Sequence, residues 1–554
     1  MRRSPLRTLL PVLGLLLGAL LLISSGRLAH AEEGMWTLDN FPKTQVRDRH
    51  NVNIDDAWLD RVRLATTRLE GGCTGSFVSP DGLVLTNHHC ARGCVSRLSS
   101  SDRDLEESGF LAKERGDEEE CAGDQISVLV GMDDITRTVH DATKGKDERT
   151  ANDVRRQTLT RLEKECEDAA GDDEKVACES VNLYNGGQYF MYTYKRYDDV
   201  RLVFAPEAAI AAFGGDPDNF NFPRFCLDMA FLRVYENGSP ASTPNFLRWR
   251  PEGAVEGEPV FVSGHPGSTE RLLTVSELRF LRDTSLPQWL LRFSELRGRL
   301  AQFGKIGDES YRITRAPMMG IENAIKVRRN EHAALLDDDL MSRKMGEEQA
   351  MRAALASNAA MNEAYGSAWD DMAKSYETYM TFRESYMFIE RAQAFSGSSQ
   401  FRAARTLVRA AAERPKPNED RMRPYTESAL PQLTQRLFAD RPFYADLEEM
   451  RLSFALDKMR EWLGPDDPMV KMILGKESPD ALAASLVSGS KLSDPAVRKA
   501  LWEGGQAALD ASDDPMVRLA LAIDPVAREL RTRYEDEVQA VQRAASEKLQ
   551  VTIE

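Results

Sequence analysis

Cys73 and Cys90 stand 17 residues apart, and Asn87-His88-His89 runs directly into the second of them. Between them, Ser76-Phe77-Val78-Ser79 and Leu83-Val84-Leu85-Thr86 flank Pro80-Asp81-Gly82. That is turn chemistry between two apolar runs, so the spacing predicts a hairpin. In an exported chain a Cys73–Cys90 bridge would pin the backbone beside His89. A general base needs such rigidity, because proton transfer requires hydrogen-bond distance. Two adjacent histidines on a strand point to opposite faces, so only one of His88 and His89 can face a site. The same geometry makes them a poor pair of metal ligands. A packed or surface histidine is the other reading that the spacing allows.

A second stretch, Phe213-Gly214-Gly215-Asp216-Pro217-Asp218-Asn219-Phe220-Asn221-Phe222-Pro223-Arg224, leads to Asp228. Its glycines permit unusual backbone angles, and the rest has the polar and aromatic composition of a recognition loop. Asp228 begins a strand over Met229–Tyr235 and is able to orient a histidine; each acid here also reads as a turn or cap residue. A third stretch, Val260 to Ser268, carries Ser263-Gly264-His265-Pro266-Gly267. It lacks the Gly-x-Ser-x-Gly spacing of a nucleophile elbow. Ser263 and Ser268 are therefore poor nucleophiles, and His265 reads as a turn residue.

Short apolar runs position these groups. Strands are expected at Ile126–Val130, Val200–Phe204, Met229–Tyr235 and Pro259–Ser263, separated by Gly/Pro/Asp turns, with one charged helix near Thr150–Glu167. After about Thr269 the character changes. Trp289, Phe293, Leu296, Leu300 and Phe303 recur at helical spacing. Between Met341 and Leu430 there are 17 alanines and two β-branched aliphatics, Ile389 and Val408, a composition that favours helix. Met372, Tyr376, Tyr379 and Met380 read as helix packing. Breaks are expected at Pro415–Asn418, Gly464–Pro468 and Asp510–Pro515.

Residues 1–31 read as a secretory signal: Arg2, Arg3 and Arg7, an apolar run of 15 residues from Leu9 to Ile23, then Ala29-His30-Ala31. A membrane anchor is the alternative, though the run is short for a span and contains Pro11. With 72 basic and 88 acidic residues the net charge is −16. Such a chain lacks the electrostatic footprint of a nucleic-acid binder and is repelled by anionic membranes. An apolar fraction of 42% supports sizeable cores and excludes a wholly disordered chain. Seven cysteines are too few to build a disulfide scaffold.

Taken together, Glu33-Gly34-Met35-Trp36, Cys73 to Cys90 with Asn87-His88-His89, Phe213–Asp228 and Ser263–Ser268 resemble the exported bacterial serine dipeptidyl-peptidases of the dipeptidyl-peptidase 7 and 11 type. The resemblance implies a chymotrypsin-like double β-barrel interrupted by a large α-helical domain. It divides the chain into a signal (1–31), a β-barrel region (32–274) and a helical cap (275–554). It implies His89 as general base, Asp228 as its orienting partner, and Asn219, Phe220 and, less directly, Asn323 as contacts to a substrate's free α-amino group. Many members have tryptophan where Phe220 stands, so an indole donor is lost there. The implied partner is an oligopeptide with a free N-terminus, removed two residues at a time; a homodimer is also implied. No cofactor and no metal are expected.

One departure qualifies the resemblance. The family's nucleophile lies in a Gly-Asn-Ser-Gly-Ser segment, and neither that segment nor Gly-Asp-Ser-Gly occurs in these residues. Gly397-Ser398 and Gly489-Ser490 lack the flanking pattern. The expectation is a second barrel left incomplete, with apolar surface exposed, in a truncated peptidase. A catalytically inactive protein that binds peptide N-termini, or a peptidase completed by a separate polypeptide, are the alternatives. Cys94–Cys121 and Cys166–Cys178 are plausible pairs whose connectivity the sequence leaves open. Cys226 is then left over, a small buried residue before it is a substitute nucleophile.

Overall fold

The computed structural model describes residues 35–171, 175–212, 223, 225–266 and 272–553. The chain divides at Leu59 into two compact units. In the first, helix α1 (Lys43–His50) contributes Val46 to a small core with Ile54 and Leu59. Helix α2 (Asp56–Ala65) follows.

The strands form one antiparallel sheet. They are β1 (Thr66–Leu69), β2 (Thr74–Phe77), β3 (Leu83–Thr86), β4 (Phe110–Leu111), β5 (Glu119–Glu120), β6 (Ile126–Asp134), β7 (Val176–Leu183), β8 (Gln188–Tyr197), β9 (Asp199–Ala205), β10 (Ala230–Glu236) and β11 (Ser239–Pro240). The order is β4-β9-β10-β3-β2-β1-β6-β8-β7, with β11 on β10 and β5 on β9. The expected hairpin is β2–β3, with Ser76 opposite Leu85. Gly82 closes its turn at φ 77°, and a Cβ there would lie 2.6 Å from the Val234 carbonyl oxygen, so the turn needs glycine. One face buries Phe77, Val84, Leu202, Leu232 and Val234. Each such side chain contributes about 1.5–3 kcal/mol by leaving water.

Behind the turn lies a buried polar knot. Arg233 donates from Nε to Glu118 Oε1 (3.0 Å) and from Nη1 to the Asp81 carbonyl (2.7 Å). The Tyr235 hydroxyl donates to Glu118 Oε2 (2.8 Å). These bonds lock β10 to the hairpin turn, and with it the start of the strand where Asp228 stands.

Two departures from the sequence expectations appear here. Pro259–Ser263 forms no strand and pairs with none among the described residues. Val260 is 71% and Val262 99% exposed, so the apolar run has no sheet to cover it. The expected strand is therefore not formed, and the described strands pair as one continuous antiparallel sheet. The long β7–β8 hairpin was absent from the expectations. Tyr189, Phe190 and Met191 are all buried, so β8 shows no alternation by which to recognise it.

From Val275 onward every described element is a helix. The charged helix expected near Thr150–Glu167 runs Glu148–Ala170, with Asp147 capping its first turn. Trp289, Phe293, Leu296, Leu300 and Phe303 form one core with Phe454, and the Trp289 and Phe293 rings stack at 4.1 Å. Met372 and Tyr379 are buried as expected of packing, while Met380 faces solvent. The largest core gathers Leu407, Leu452, Leu456, Met459 and Val517. Inside it Arg409 pairs with Glu390 and Asp524.

Glu118→Ala would take from the buried Arg233 guanidinium its buried carboxylate, leaving only the partly exposed Asp81 carboxylate 3.3 Å away. A loss of about 3–5 kcal/mol is expected, read as a lower midpoint in urea unfolding of the whole chain.

Candidate functional site

Strand β3 ends at Thr86, and the chain turns at Asn87 into helix α3 (His88–Leu98). The two histidines therefore stand in the first helical turn, not on a strand, and sequential helical residues diverge by about a quarter-turn rather than a half-turn. His88 points into the protein and is 1% exposed. The His89 side chain is 52% exposed.

Asp228 lies just before β10, which pairs antiparallel with β3. That pairing brings two positions 139 residues apart into contact. His89 Nδ1 lies 2.7 Å from Asp228 Oδ2, and the His89 backbone N–H donates to Oδ1 at 3.1 Å. The Asn87 amide donates to the Asp228 carbonyl (3.0 Å) and to Oδ2 (3.4 Å). A carboxylate only accepts, so Nδ1 carries the proton and Nε2 is the basic nitrogen. Among the described residues no hydrogen bond engages Nε2. Burial works against the Asp228 charge, but the bonds from His89 outweigh it and hold the carboxyl below its usual range.

His88 differs in kind. Burial, with the Arg92 cation beside it, pushes its imidazole down to about 4, and its Nε2 has no hydrogen-bond partner. It stays neutral at neutral pH.

Two disulfides strap this helix. Cys90 bonds Cys73, and Cys94 bonds Cys121; a third joins Cys166 to Cys178. Cys73, His89 and Cys90 lie close together, but the two sulfurs are bonded to each other and offer a metal no thiolate. Cys226 is a free thiol of intermediate exposure.

The Ser263-Gly264-His265 stretch docks on the outer face of β1 and β2. Ser263 and Thr66 share a hydroxyl hydrogen bond (2.8 Å), and the His265 N–H donates to Thr74 Oγ1 (2.9 Å). A Cβ on Gly264 would come 2.6 Å from Thr74 Oγ1. Thr74 in turn accepts from Thr86 through its carbonyl (2.9 Å), one residue before Asn87. The motif thus braces the hairpin that carries the histidines, a structural role that spacing did not reveal. Asn87 was likewise legible only as part of a motif.

Asn219 and Phe220 lie outside the described residues. Asn323 sits in the long helix Asp308–Leu335, half-buried, between the buried Ile321 and Ile325.

The sequence profile of the Peptidase S46 family matches residues 31–553. The Asp/Glu-specific dipeptidyl-peptidase of Shewanella putrefaciens is 28% identical over 542 residues, 91% of this chain and 70% of its own length. Dipeptidyl-peptidase 7 of Phocaeicola vulgatus is 33% identical over 270 residues, 45% of this chain and 37% of its own. The crystal structure of Porphyromonas endodontalis DPP11 in complex with the dipeptide Arg-Glu superposes with a TM-score of 0.71 at 20% identity, covering 94% of this chain and 77% of that one. The fold is shared with that structure, and the chain belongs to the peptidase S46 family.

Proposed function

We propose that these residues supply the general base and the amino-terminus clamp of an exported serine-type dipeptidyl-peptidase. The observation that carries the reading is the double contact of Asp228 with His89, 2.7 Å to Nδ1 and 3.1 Å to the backbone N–H. It fixes tautomer and ring direction together, as a base that must take a serine proton requires. His89 Nε2 then accepts the proton as the serine oxygen attacks the second peptide bond of a substrate. It returns that proton to the departing amine, and water later releases the dipeptide from the acyl-enzyme. Asp228 stabilises the imidazolium in between. Asn219, Phe220 and Asn323 hold the substrate's ammonium, which is what limits cleavage to the second bond.

The nucleophile is the open part. Among the described residues no serine hydroxyl bonds His89, and the sequence holds no Gly-Asn-Ser-Gly-Ser segment. With no such serine beside His89, we propose that these residues bind peptide N-termini without turning them over. The fold's likeness to a chymotrypsin-type first barrel, with the helices as its cap, belongs to the same reading, as do the signal at 1–31 and an oxidising location that keeps three disulfides.

The 554-residue protein is expected to bind a tripeptide with a free amino terminus and not its N-acetylated form, measured by calorimetry. Its hydrolysis of dipeptidyl-naphthylamides should stay at background. Robust hydrolysis lost in His89→Ala would put a nucleophile inside these residues and overturn that part of the reading.

His88 yields a pH prediction. Its imidazole is held near 4 in the fold against about 6.5 unfolded, so the unfolded chain binds the proton first. Stability from this group is full above pH 6.5 and falls as pH drops from there to about 4, by about 3 kcal/mol. His88→Gln should flatten the unfolding midpoint across that window; an unchanged slope refutes the assignment.

A further inference from the structure

Helix α3 is held from outside at both ends. At its start, Asp228 grips His89. At its other end Ser99 follows the last turn, accepts from the Leu105 N–H at Oγ (3.1 Å) and turns its carbonyl toward Arg312 Nη1 (3.5 Å). The short helix α4 (Leu105–Ser108) begins there, capped by Asp104, which accepts from the N–H groups of Glu106 and Glu107. The guanidinium of Arg315 pairs with Asp104 and also lies 3.4 Å from Glu106 Oε2. Glu106 is 3% exposed. It also faces Ser96 and Arg92 on α3.

Arg312 and Arg315 belong to helix α5 (Asp308–Leu335), the helix of Asn323. Eight residues separate Arg315 from Asn323, about 12 Å along the axis. Pro317 lies between them and has no N–H for the Ile313 carbonyl, so one rung of the ladder is missing where the helix leaves its dock. The hydrophobic effect by itself is non-directional. A guanidinium shared by two nearly buried carboxylates fixes direction and register.

We infer that Arg315 is a positioning residue: by pairing with Asp104 and Glu106 it docks the Asn323-bearing helix onto the short helix packed beside the one that presents His89, and so sets the separation between His89 and Asn323. The inference rests on the reading above, in which Asn323 meets the substrate's amino group.

The test uses the full 554-residue chain with Arg315→Gln and Arg315→Lys. Two measurements are made: calorimetric affinity for a free-amino tripeptide, and hydrogen–deuterium exchange. Arg315→Gln should weaken the tripeptide on the order of tenfold, within the usual range of coupling between sites. Residues 308–316 should exchange faster, with the core around Leu452 unchanged. Arg315→Lys, which keeps the charge, should restore most of the affinity. Leu407→Ala, destabilised in a distant core, should keep wild-type affinity; if it weakens binding as much as Arg315→Gln, the effect is general destabilisation and the positioning role fails. Wild-type affinity in Arg315→Gln also overturns it. If the wild-type chain binds no peptide, the functional reading fails with the positioning role, while exchange over 308–316 still decides whether Arg315 docks the helix.

Discussion

Asp228 holds His89 twice, once through the ring and once through the backbone, and that double grip is the constraint around which the rest is arranged. A single side-chain bond would let the imidazole swing about its own backbone. Two bonds from one carboxylate fix the peptide and the ring together. The grip demands that the end of β3 and the start of β10 stay in register. Four paired positions between those strands, together with the Arg233–Glu118 knot behind their turn, keep them so. Asn87 adds a brace from the same side, bonding both the carbonyl and the carboxylate of Asp228.

The helix that carries the histidines is short and would be marginal alone. Its stability comes from elsewhere. Ala91 and Val95 are buried against the sheet, and Cys90 and Cys94 are bonded to opposite neighbours. Closing loops of 17 and 27 residues removes unfolded-state freedom worth about 3 kcal/mol each. The bridges act on the helix at its first two turns, where any rotation would carry His89 away from Asp228. Stability and geometry are thus secured by the same covalent links.

Local chemistry made parts of this legible. The Pro80-Asp81-Gly82 turn, the strands at 126–130, 200–204 and 229–235, and the aromatic stripe from Trp289 to Phe303 follow from turn residues and periodicity, and all form. What failed did so for physical reasons. Pro259–Ser263 has strand composition, but a strand needs a ladder partner, and composition does not report one. In the β7–β8 hairpin three consecutive residues, Tyr189 to Met191, are buried, so its pattern is not periodic. The histidines looked like strand residues because the apolar run before them is one; the helix starts only at Asn87, a residue suited to capping. Asp228 was recognisable as a partner for His89 through resemblance, since nothing local joins residues 139 apart.

Charge is used unevenly across the molecule. The sheet region and the helical region each have an apolar core of their own. The contacts between them are largely polar: Arg436 with Glu70, Arg423 with Glu163, Arg155 with Glu547, and Arg315 with Asp104. Exposed pairs of this sort add little net stability, and nearly buried ones roughly balance their desolvation. Their contribution is directional, since a guanidinium and a carboxylate meet in few geometries. The cores therefore account for why each region folds, and on the inference above the polar seam sets where the long helix bearing Asn323 lies relative to His89.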